Sequence, residues 1–383
     1  MELRELNAYK RLPAPVLSAR GCELVLEGGR EVLDLYGGHC VNTLGAGDEA
    51  LGSVLARQWR ELSFATNLLD HAPRHTFLAA FERTLPPLPA GEHWQVFCSN
   101  SGAEANENAL KIALAATGRS LVCAFSGAFH GRTAAAAAVT DGKSAAFPEA
   151  PFDVVRLPWG DGALARKAID EACGAVILEP LQSLAGVTEP PPGFLEALRA
   201  ACDESGALLL FDEVQTGNGR LGSFWASQHF GVVPDVFTTA KGAAGGLPIG
   251  LTVVRSSAAS RMPAGLLGST FGGGPLVLAA AAEVSRRLAA PGFLENVRAT
   301  SAALREAALR GPVERVRGAG LLLGLVLREG LRAAVVRDAL LEQAVLVGTS
   351  DDPRVLRLSP PLILEPRHAE RLAAALDALE VGV

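Results

Sequence analysis

LLLFDEVQTGNGRLG (208–222) and VFTTAKGAAGGLPIG (236–250) each join a short apolar run to a charged residue and then to glycines. Short apolar runs that alternate with longer helical segments are typical of a parallel sheet covered by helices on both faces. Further apolar runs of this kind are WQVF before Cys98, LVCAF (121–125), AVILEP (175–180) and GLTVVR (250–255). The sequence therefore predicts an α/β fold with a mostly parallel central sheet covered by helices.

Polar residues follow these predicted strands. They are Ser99-Asn100-Ser101, Glu179, Asp212-Glu213 and Lys241. Ligands of parallel α/β sheets bind at the carboxyl ends of the strands. We therefore expect the chemistry of the protein at one edge of this sheet.

The 383 residues are too many for one ordinary core, so two domains are expected. The C-terminal part predicts helices at 275–290, 293–309 and 331–342 and strand-like segments at 320–327 and 355–362. The stretch ELVLEGGREVLDLY (23–36) predicts a hairpin that joins this part. We predict an N-terminal segment (1–45) that joins the small domain, a large domain (46–275) and a C-terminal small α+β domain (276–383).

Composition narrows the classes of protein. Half of the residues are apolar and a fifth are charged, which is typical of soluble globular chains. The net charge of -6 and the dispersed arginines argue against nucleic acid as a partner. The apolar stretches are much shorter than the ~20 residues of a membrane span, and residues 1–12 do not resemble a signal peptide. Six scattered cysteines and seven dispersed histidines imply no metal site and indicate free thiols in the cytoplasm.

Lys241 is the lysine with an unusual setting. The other four lie near the terminus, in a helix or in polar stretches, whereas Lys241 is predicted to end an apolar strand and precedes GAAGGLPIG (242–250). A desolvated lysine followed by glycines, which let a ligand approach the backbone, can form a Schiff base. The alternative is a surface lysine before a turn.

Asp212 and Ser101 supply the other parts of a cofactor site. Pyridoxal chemistry needs a carboxylate paired with the pyridine nitrogen, and Asp212 ends the apolar strand next to that of Lys241. Ser101-Gly102-Ala103 lies between a strand and a helix, where free amides attract a phosphate. Alternatively, Asp212 is a helix cap or part of a structural ion pair, and Ser101 caps its helix without any ligand.

The stretch GNGRLG (217–222) matches the glycine spacing of dinucleotide-binding loops. Such a loop begins directly at the end of a strand and leads into a long helix. Here EVQT (213–216) intervenes and FWASQHFGV (224–232) follows, so a nicotinamide cofactor is not favoured.

Seven ordered motifs extend over roughly residues 20–365. They are SGAEANENALK (101–111), FHGRT (129–133), EPLQ (179–182), DEVQTGNGRLG (212–222), AKGAAGGLPIG (240–250), GSTFGGGPL (268–276) and LRLSPPL (356–362). In these motifs the chain resembles the class-III, fold-type I pyridoxal-phosphate aminotransferases, most of all the acetylornithine aminotransferase branch. The resemblance implies pyridoxal 5'-phosphate as cofactor.

The resemblance also implies a role for each matching residue. Lys241 would be the Schiff-base lysine and proton carrier, Asp212 would pair with the ring nitrogen, and Gln215 would approach the ring hydroxyl. Phe129 would stack on the ring, and Ser101, Gly102 and Ala103 would form the phosphate site. Thr270 would reach the phosphate from the other subunit, which implies a homodimer with shared active sites. Arg132 and Arg357 would bind substrate carboxylates, with Ser269 beside the substrate; the alternative for either arginine is a surface ion pair.

Three departures from the family pattern concern substrate choice more than fold. GAGDE (45–49) replaces Gly-His-x-His-Pro, and Gly274 replaces the asparagine of GGNPL. The family's Gln-Gly-Glu is Gln182-Ser183-Leu184 here. In relatives that glutamate neutralises the arginine that matches Arg357 when an ω-amine binds, and Leu184 cannot do so.

The resemblance implies amino-group transfer between an amino acid, such as an N-acylated ornithine-like ω-amine, and 2-oxoglutarate. Within the class the alternatives are another ω-aminotransferase, an aminomutase or a racemase. From a different class, the alternative is a cofactor-binding protein that has lost turnover. Intact Lys241 and Asp212 argue against that loss.

Overall fold

The computed structural model of the chain describes residues 3, 5–6, 8, 11–12, 15–142, 147, 150 and 152–379. Its largest sheet has seven strands in the order β4-β10-β9-β8-β7-β5-β6. Their bounds are β4 Trp94–Ser99, β5 Leu121–Phe125, β6 Asp153–Leu157, β7 Cys173–Leu178, β8 Leu208–Asp212, β9 Val236–Thr239 and β10 Gly250–Arg255. The prediction of an α/β fold with a mostly parallel sheet is confirmed.

β10 is the antiparallel strand of this sheet. It pairs antiparallel with both β4 and β9, whereas the pairs among β5 to β9 are parallel. The apolar run GLTVVR does not reveal this direction, because a fully buried strand has the same pattern in either direction. β4 still runs parallel to β9, so Ser99 and Asp212 lie at the same edge of the sheet.

Helices cover both faces of the sheet. They are α2 Glu49–Glu61, α3 Ala72–Glu82, α4 Gly102–Thr117, α5 Ala134–Val139, α6 Gly162–Ala168, α7 Phe194–Ser205, α8 Ala226–Phe230, α9 Ser256–Ala259 and α10 Pro275–Leu288. α4 follows β4 and packs across β7, β8, β9 and β10. Every residue of β7 and β8 is buried. Two-sided burial explains why these strands are continuously apolar instead of alternating.

Two smaller sheets lie outside the central one. The first, in the order β1-β2-β3-β13, combines β1 Val16–Arg20, β2 Glu23–Leu26 and β3 Glu31–Asp34 with β13 Val345–Leu346. The hairpin predicted at 23–36 is confirmed as β2 and β3, whereas β1 was not predicted. Through β13, the N-terminal segment pairs with the C-terminal part of the chain.

The second small sheet has the order β11-β12-β15-β14. Its strands are β11 Val313–Ala319, β12 Leu322–Leu327, β14 Gly348–Thr349 and β15 Val355–Leu358. α11 Phe293–Ala308 and α12 Ala333–Glu342 pack on these strands, and α13 Ala369–Asp377 packs on α11. α10 packs against α2 and α3, while its residues Val284 and Leu288 join the C-terminal core.

The division of the chain into domains at 1–45, 46–275 and 276–383 stays a prediction. Within the described residues, no helix has both the length and the apolar character needed to cross a lipid bilayer.

Candidate active site

A cavity of about 430 Å³ lies at the carboxyl edge of the central sheet. It brings together eight of the predicted site residues, namely Ser101, Gly102, Ala103, Phe129, Arg132, Asp212, Gln215 and Lys241. They come from four separate segments of the chain, and the sheet places those segments side by side. Arg357, Ser269 and Thr270 do not line this cavity.

Lys241 lies two residues beyond the end of β9. The apolar run predicted a strand up to Lys241, but β9 ends at Thr239, and Lys241, with φ 42°, begins a 3-10 turn that ends at Ala244. A positive φ is strained for a residue with a side chain. Gly242 is required at the next position, because a Cβ there would lie 2.2 Å from Oγ1 of Thr43. Burial lowers the pKa of Lys241, which favours the neutral amine that a Schiff base requires.

Asp212 is held rigidly at the base of the cavity. Its Oδ2 accepts hydrogen bonds from Nδ2 of Asn106 at 2.7 Å and from Nδ1 of His130 at 2.8 Å, and its Oδ1 accepts from the Val214 amide at 3.0 Å. Asn106 is in turn fixed by Oγ1 of Thr238, which donates to its Oδ1 at 2.6 Å. Asp212 is 4% exposed. It is therefore a fixed acceptor bonded to His130, and it does not cap a helix.

The N-terminus of α4 opens into the cavity. Ser101 caps this helix, since its Oγ accepts from the Glu104 amide at 3.2 Å. The Gly102 and Ala103 amides precede the first backbone bond of the helix, which the Ala105 amide donates to the Ser101 carbonyl. Free amides at the positive end of a 16-residue helix form a site for an anion such as phosphate.

Phe129 and Arg132 form another wall of the cavity. The Arg132 guanidinium carbon lies 5.6 Å from the centre of the Phe129 ring, and Arg132 is exposed. The Phe129 amide donates to Oε1 of Glu179 at 2.9 Å, and the Ser183 amide donates to Oε2 at 3.2 Å. Burial, together with the charge of Asp212, raises the pKa of Glu179 to about 7. Glu179 thus connects the wall that carries Phe129 to the segment that contains Ser183.

Arg357 lies behind the cavity wall and is 1% exposed. Its Nη1 donates to Oγ of Ser183 at 2.9 Å and to Oε1 of Gln215 at 3.3 Å. Its Nη2 donates to the hydroxyl of Tyr36 at 2.8 Å and lies 3.5 Å from Nδ1 of His39. These four groups carry no negative charge, and the surface ion pair considered from sequence is wrong. Arg357 is a buried cation with neutral partners.

Ser183, and not Leu184, touches Arg357 through a polar atom. The Leu184 carbonyl accepts from the Asp351 amide at 2.8 Å, and the residue is partly exposed. Ser183 stands at the family's glycine position, so its hydroxyl adds a contact that a glycine lacks.

Ser269 and Thr270 line a second cavity of about 890 Å³. Oγ of Ser269 accepts from Nδ2 of Asn100 at 3.2 Å, and Thr270 is exposed. Exposed aromatic side chains surround them: Phe271 is 68% and Phe64 is 45% exposed, with ring centres 5.7 Å apart. Thr270 is therefore exposed in the single chain and does not line the cavity of Lys241.

Several residues of this region were not predicted from the sequence. Asn106 and His130 lie inside two of the quoted motifs, where a polar residue on a buried helix and a histidine between Phe129 and Gly131 were the available signals. Nothing in the local sequence marks Tyr36 and His39 as site residues. They belong to the site only because they contact Arg357, which is more than 300 positions away.

The stretch GNGRLG (217–222) forms turns and not a strand-to-helix phosphate loop. The next helix, α8, has five residues. Gly217 packs so closely on Trp225 that a Cβ would lie 2.7 Å from its ring. The glycines of this stretch allow the backbone to pack closely against neighbouring side chains.

The residues that line the cavity fit pyridoxal phosphate. They offer a desolvated amine at Lys241, a fixed carboxylate at Asp212, an aromatic ring at Phe129 and free helix amides at Gly102 and Ala103. An amine, a carboxylate, an aromatic face and an anion site are the four groups that a phosphorylated pyridine aldehyde requires.

The chain matches the family model "Aminotransferase class-III" over residues 6–380. It is 42% identical over 380 residues to an acetylornithine aminotransferase of Streptomyces coelicolor, which covers 98% of this chain and 92% of the relative. A Mycobacterium tuberculosis acetylornithine aminotransferase is 40% identical over 98% of this chain and 93% of its own.

Solved structures of similar proteins have the same fold. The crystal structure of N-acetylornithine aminotransferase from Stenotrophomonas maltophilia matches with a TM-score of 0.80 and 31% identity, over 97% of this chain and 98% of that one. The ornithine aminotransferase of Toxoplasma gondii matches with a TM-score of 0.87 and 25% identity, over 97% and 92%.

Proposed function

Since the chain belongs to the class-III aminotransferase family, whose members are pyridoxal-phosphate-dependent, we propose that it moves the amino group of an N-acylated ornithine-like ω-amine to 2-oxoglutarate. One observation carries the proposal: Lys241, Asp212, Phe129 and the N-terminus of α4 line a single cavity. The relatives named as acetylornithine aminotransferases support the choice of donor.

We assign the cofactor's contacts to the residues that line this cavity. Gly102 and Ala103 would hold the phosphate, Phe129 the face of the ring, Asp212 the ring nitrogen and Gln215 the ring hydroxyl. When bound, the cofactor supplies an electron-withdrawing ring that stabilises negative charge at the reacting carbon of the substrate. Asp212 keeps a proton on the ring nitrogen, and its bonds from Asn106 and His130 prevent it from turning away.

Lys241 performs the proton transfer. In its neutral form, which burial favours, Nζ would take the proton from the reacting carbon of the substrate and hold it for return. The strained 3-10 turn and the tight contact of Gly242 with Thr43 fix where this amine lies. A general base must stay within hydrogen-bond reach of the proton that it moves.

Arg132 and Arg357 would hold the carboxylates of glutamate and 2-oxoglutarate. Arg132 is exposed on the cavity wall, and the guanidinium of Arg357 lies directly behind Gln215. Both arginines carry a planar guanidinium group, which can bind a carboxylate through two parallel hydrogen bonds. Because residue 184 is leucine and not the glutamate of the family pattern, it provides no carboxylate for Arg357.

A homodimer with shared active sites completes the proposal. The exposed Phe64, Leu68 and Phe271 surround Thr270, which cannot serve the cavity of its own chain. Exposed apolar clusters of this kind mark association surfaces. A second copy would cover the cluster and bring Thr270 to its partner's phosphate site. The six unpaired cysteines fit a reducing compartment, so we also propose a cytoplasmic location.

The test is a half-reaction followed by a donor screen. Holoenzyme mixed with glutamate alone should convert its cofactor to the amine form, seen as a change in its absorption spectrum, and should release 2-oxoglutarate. N-acetylornithine should then be the best of a panel of amine donors. Absence of conversion would favour an aminomutase, a racemase or a non-catalytic cofactor-binding protein, whereas conversion with another preferred donor would correct only the substrate.

A further inference from the structure

We propose that Tyr36 and His39 form a removable cover on Arg357, so that the choice between a carboxylate-bearing substrate and an ω-amine depends on whether this cover opens. The inference rests on the proposed function, and it names the residues that set substrate preference in the absence of a carboxylate at position 184. "The cover" below means the side chains of Tyr36 and His39.

The hydrogen bonds of the cover have a fixed direction. A guanidinium only donates, so the Tyr36 hydroxyl oxygen accepts from Nη2 of Arg357 at 2.8 Å. The hydroxyl proton is then free for Nδ1 of His39, which lies 2.6 Å away. The guanidinium carbon also lies 5.4 Å from the centre of the Tyr36 ring. Arg357 is thus capped by a hydroxyl, an imidazole and an aromatic face.

Charge keeps His39 an acceptor. Partial removal of the ring from water and the charges of Arg357, Lys241 and Arg132 lower the pKa of His39 to about 4. The other titratable group in contact with the ring, Tyr36, has its pKa raised by burial and stays protonated. The cover is therefore neutral near pH 7 and does not cancel the charge of Arg357.

His39 holds its place through strained backbone. The single turn α1, Gly37–Cys40, is left-handed: φ is 57° at Gly37, 58° at Gly38, 61° at His39 and 70° at Cys40. Glycine adopts this conformation freely, whereas a residue with a side chain is strained in it. Gly37 is needed for a second reason, since a Cβ there would lie 2.4 Å from the Ser359 carbonyl oxygen. The turn directs His39 onto Tyr36 and Arg357 while the residue itself stays exposed to solvent.

A carboxylate can displace the cover, and a neutral group cannot. Charge-assisted, bidentate bonds from a guanidinium to a carboxylate are about twice as strong as bonds to neutral acceptors. Glutamate, with a carboxylate on its reacting carbon, can replace the Tyr36 hydroxyl and Nδ1 of His39 on Arg357. An N-acylated ornithine has no carboxylate at its reacting carbon and leaves the cover closed. Arg357 is then hidden without being neutralised.

The first test measures the accessibility of Arg357 without turnover. Phenylglyoxal labelling followed by peptide mass analysis should modify the exposed Arg132 quickly and Arg357 slowly in wild-type apoprotein. In His39→Gly and in Tyr36→Phe, labelling of Arg357 should accelerate by about tenfold, the effect of losing one hydrogen bond to a charged group. Arg220, which is 2% exposed and bonded to the Leu321 and Pro360 carbonyls, should stay slow in all variants. The proposed cover would be refuted if Arg357 is labelled rapidly in wild type, or if neither variant accelerates the labelling of Arg357.

The second test measures preference as the ratio of kcat/KM for glutamate to kcat/KM for N-acetylornithine. Both variants should raise this ratio, through a lower KM for glutamate and not through its kcat. Ala344→Gly is the matched control, because Ala344 also has a positive φ (59°) but lies beyond α12, so it should raise Tm as His39→Gly does without changing the ratio. An unchanged or lower ratio in Tyr36→Phe refutes the cover, since that variant leaves the backbone alone. If wild type does not convert glutamate at all, the proposed function fails, and the labelling result still decides the cover.

Discussion

Nδ1 of His130 lies 2.8 Å from Oδ2 of Asp212, and both side chains are almost completely buried. A carboxylate only accepts, so His130 donates from Nδ1 and fixes the direction in which Asp212 points. The second oxygen, Oδ1, is held by the Val214 amide. We expect this pair to set the electrostatics of the cavity, because the proposed function places Asp212 against the ring nitrogen of the cofactor.

Asp212→Asn should keep the fold and lose activity. An amide cannot keep the ring nitrogen protonated, so kcat/KM for glutamate should fall by at least ~10²-fold, as for the loss of a strong electrostatic stabiliser. Melting temperature and cofactor content, measured on the same preparation, control for folding. A variant within a few-fold of wild type would show that Asp212 is structural.

Lys241→Ala should abolish covalent attachment of the cofactor and nearly all turnover, because no other side chain that lines the cavity carries a primary amine. Borohydride reduction of wild-type holoenzyme, followed by peptide mapping, should place the label on Lys241. Lys111→Ala, on the exposed side of α4, is the matched control and should behave as wild type. A label on another lysine would refute the assignment.

Leu184→Glu should shift preference toward ω-amines. A new carboxylate beside Arg357 would neutralise its charge when no substrate carboxylate is present, with an effect of up to a few kcal/mol in a dry pocket. The measurement is the ratio of kcat/KM for N-acetylornithine to that for glutamate. Leu184→Gln has the same size without the charge and should leave the ratio near that of wild type. If Glu and Gln behave alike, position 184 does not face Arg357.

Two inactive variants should restore activity when mixed, if the sites are shared. Thr270→Asp should repel the phosphate of the partner's cofactor, and Lys241→Ala removes the amine of its own chain. After subunit exchange, each mixed dimer holds one site with an intact Lys241 and an intact Thr270 from the other chain. Recovered activity should reach about a quarter of the wild-type value, since half of the dimers are mixed when exchange is random. Mixtures that stay inactive, in a preparation shown to exchange subunits, would contradict the shared site.

Glu213 should make the free energy of unfolding fall as pH rises. Burial raises the pKa of Glu213 from 4.5 to about 7 in the folded chain, so between these values the folded state binds more protons than the unfolded state. The contribution of Glu213 to stability is therefore complete below pH 4.5 and is lost as pH rises through 7, a change of ~3 kcal/mol for this group.

Glu213→Gln should remove that part of the decline. The comparison is the difference in unfolding free energy between pH 5 and pH 8, from urea denaturation of apoprotein. The side chain accepts bonds from the Ala226 and Ser227 amides, so the variant also loses an acceptor and should be less stable at pH 5. An equally steep decline in wild type and variant would show that Glu213 does not titrate in this range.

The sequence alone identified the chemistry of the cavity. Lys241 and Asp212 stand out because each follows a buried apolar strand, and in a parallel sheet such strand ends meet at one edge. Ser101 and the amides after it are readable for the same local reason, since a helix that starts directly after a strand presents its N-terminus there. The sequence did not predict the direction of β10, and the predicted strand end at Lys241 was wrong, because burial alone fixes neither the direction nor the last residue of a strand.

The surroundings of Arg357 were decided by tertiary structure. The sequence marked the arginine and the missing glutamate at position 184, but its partners Tyr36, His39 and Ser183 are more than 170 positions away. Hydrogen bonds between such distant residues depend on how the sheets pack and on a left-handed turn at 37–40, neither of which has a local pattern. Local periodicity and strand ends thus determined which residues can do chemistry, whereas the packing of distant segments decided that this cation is buried among neutral groups.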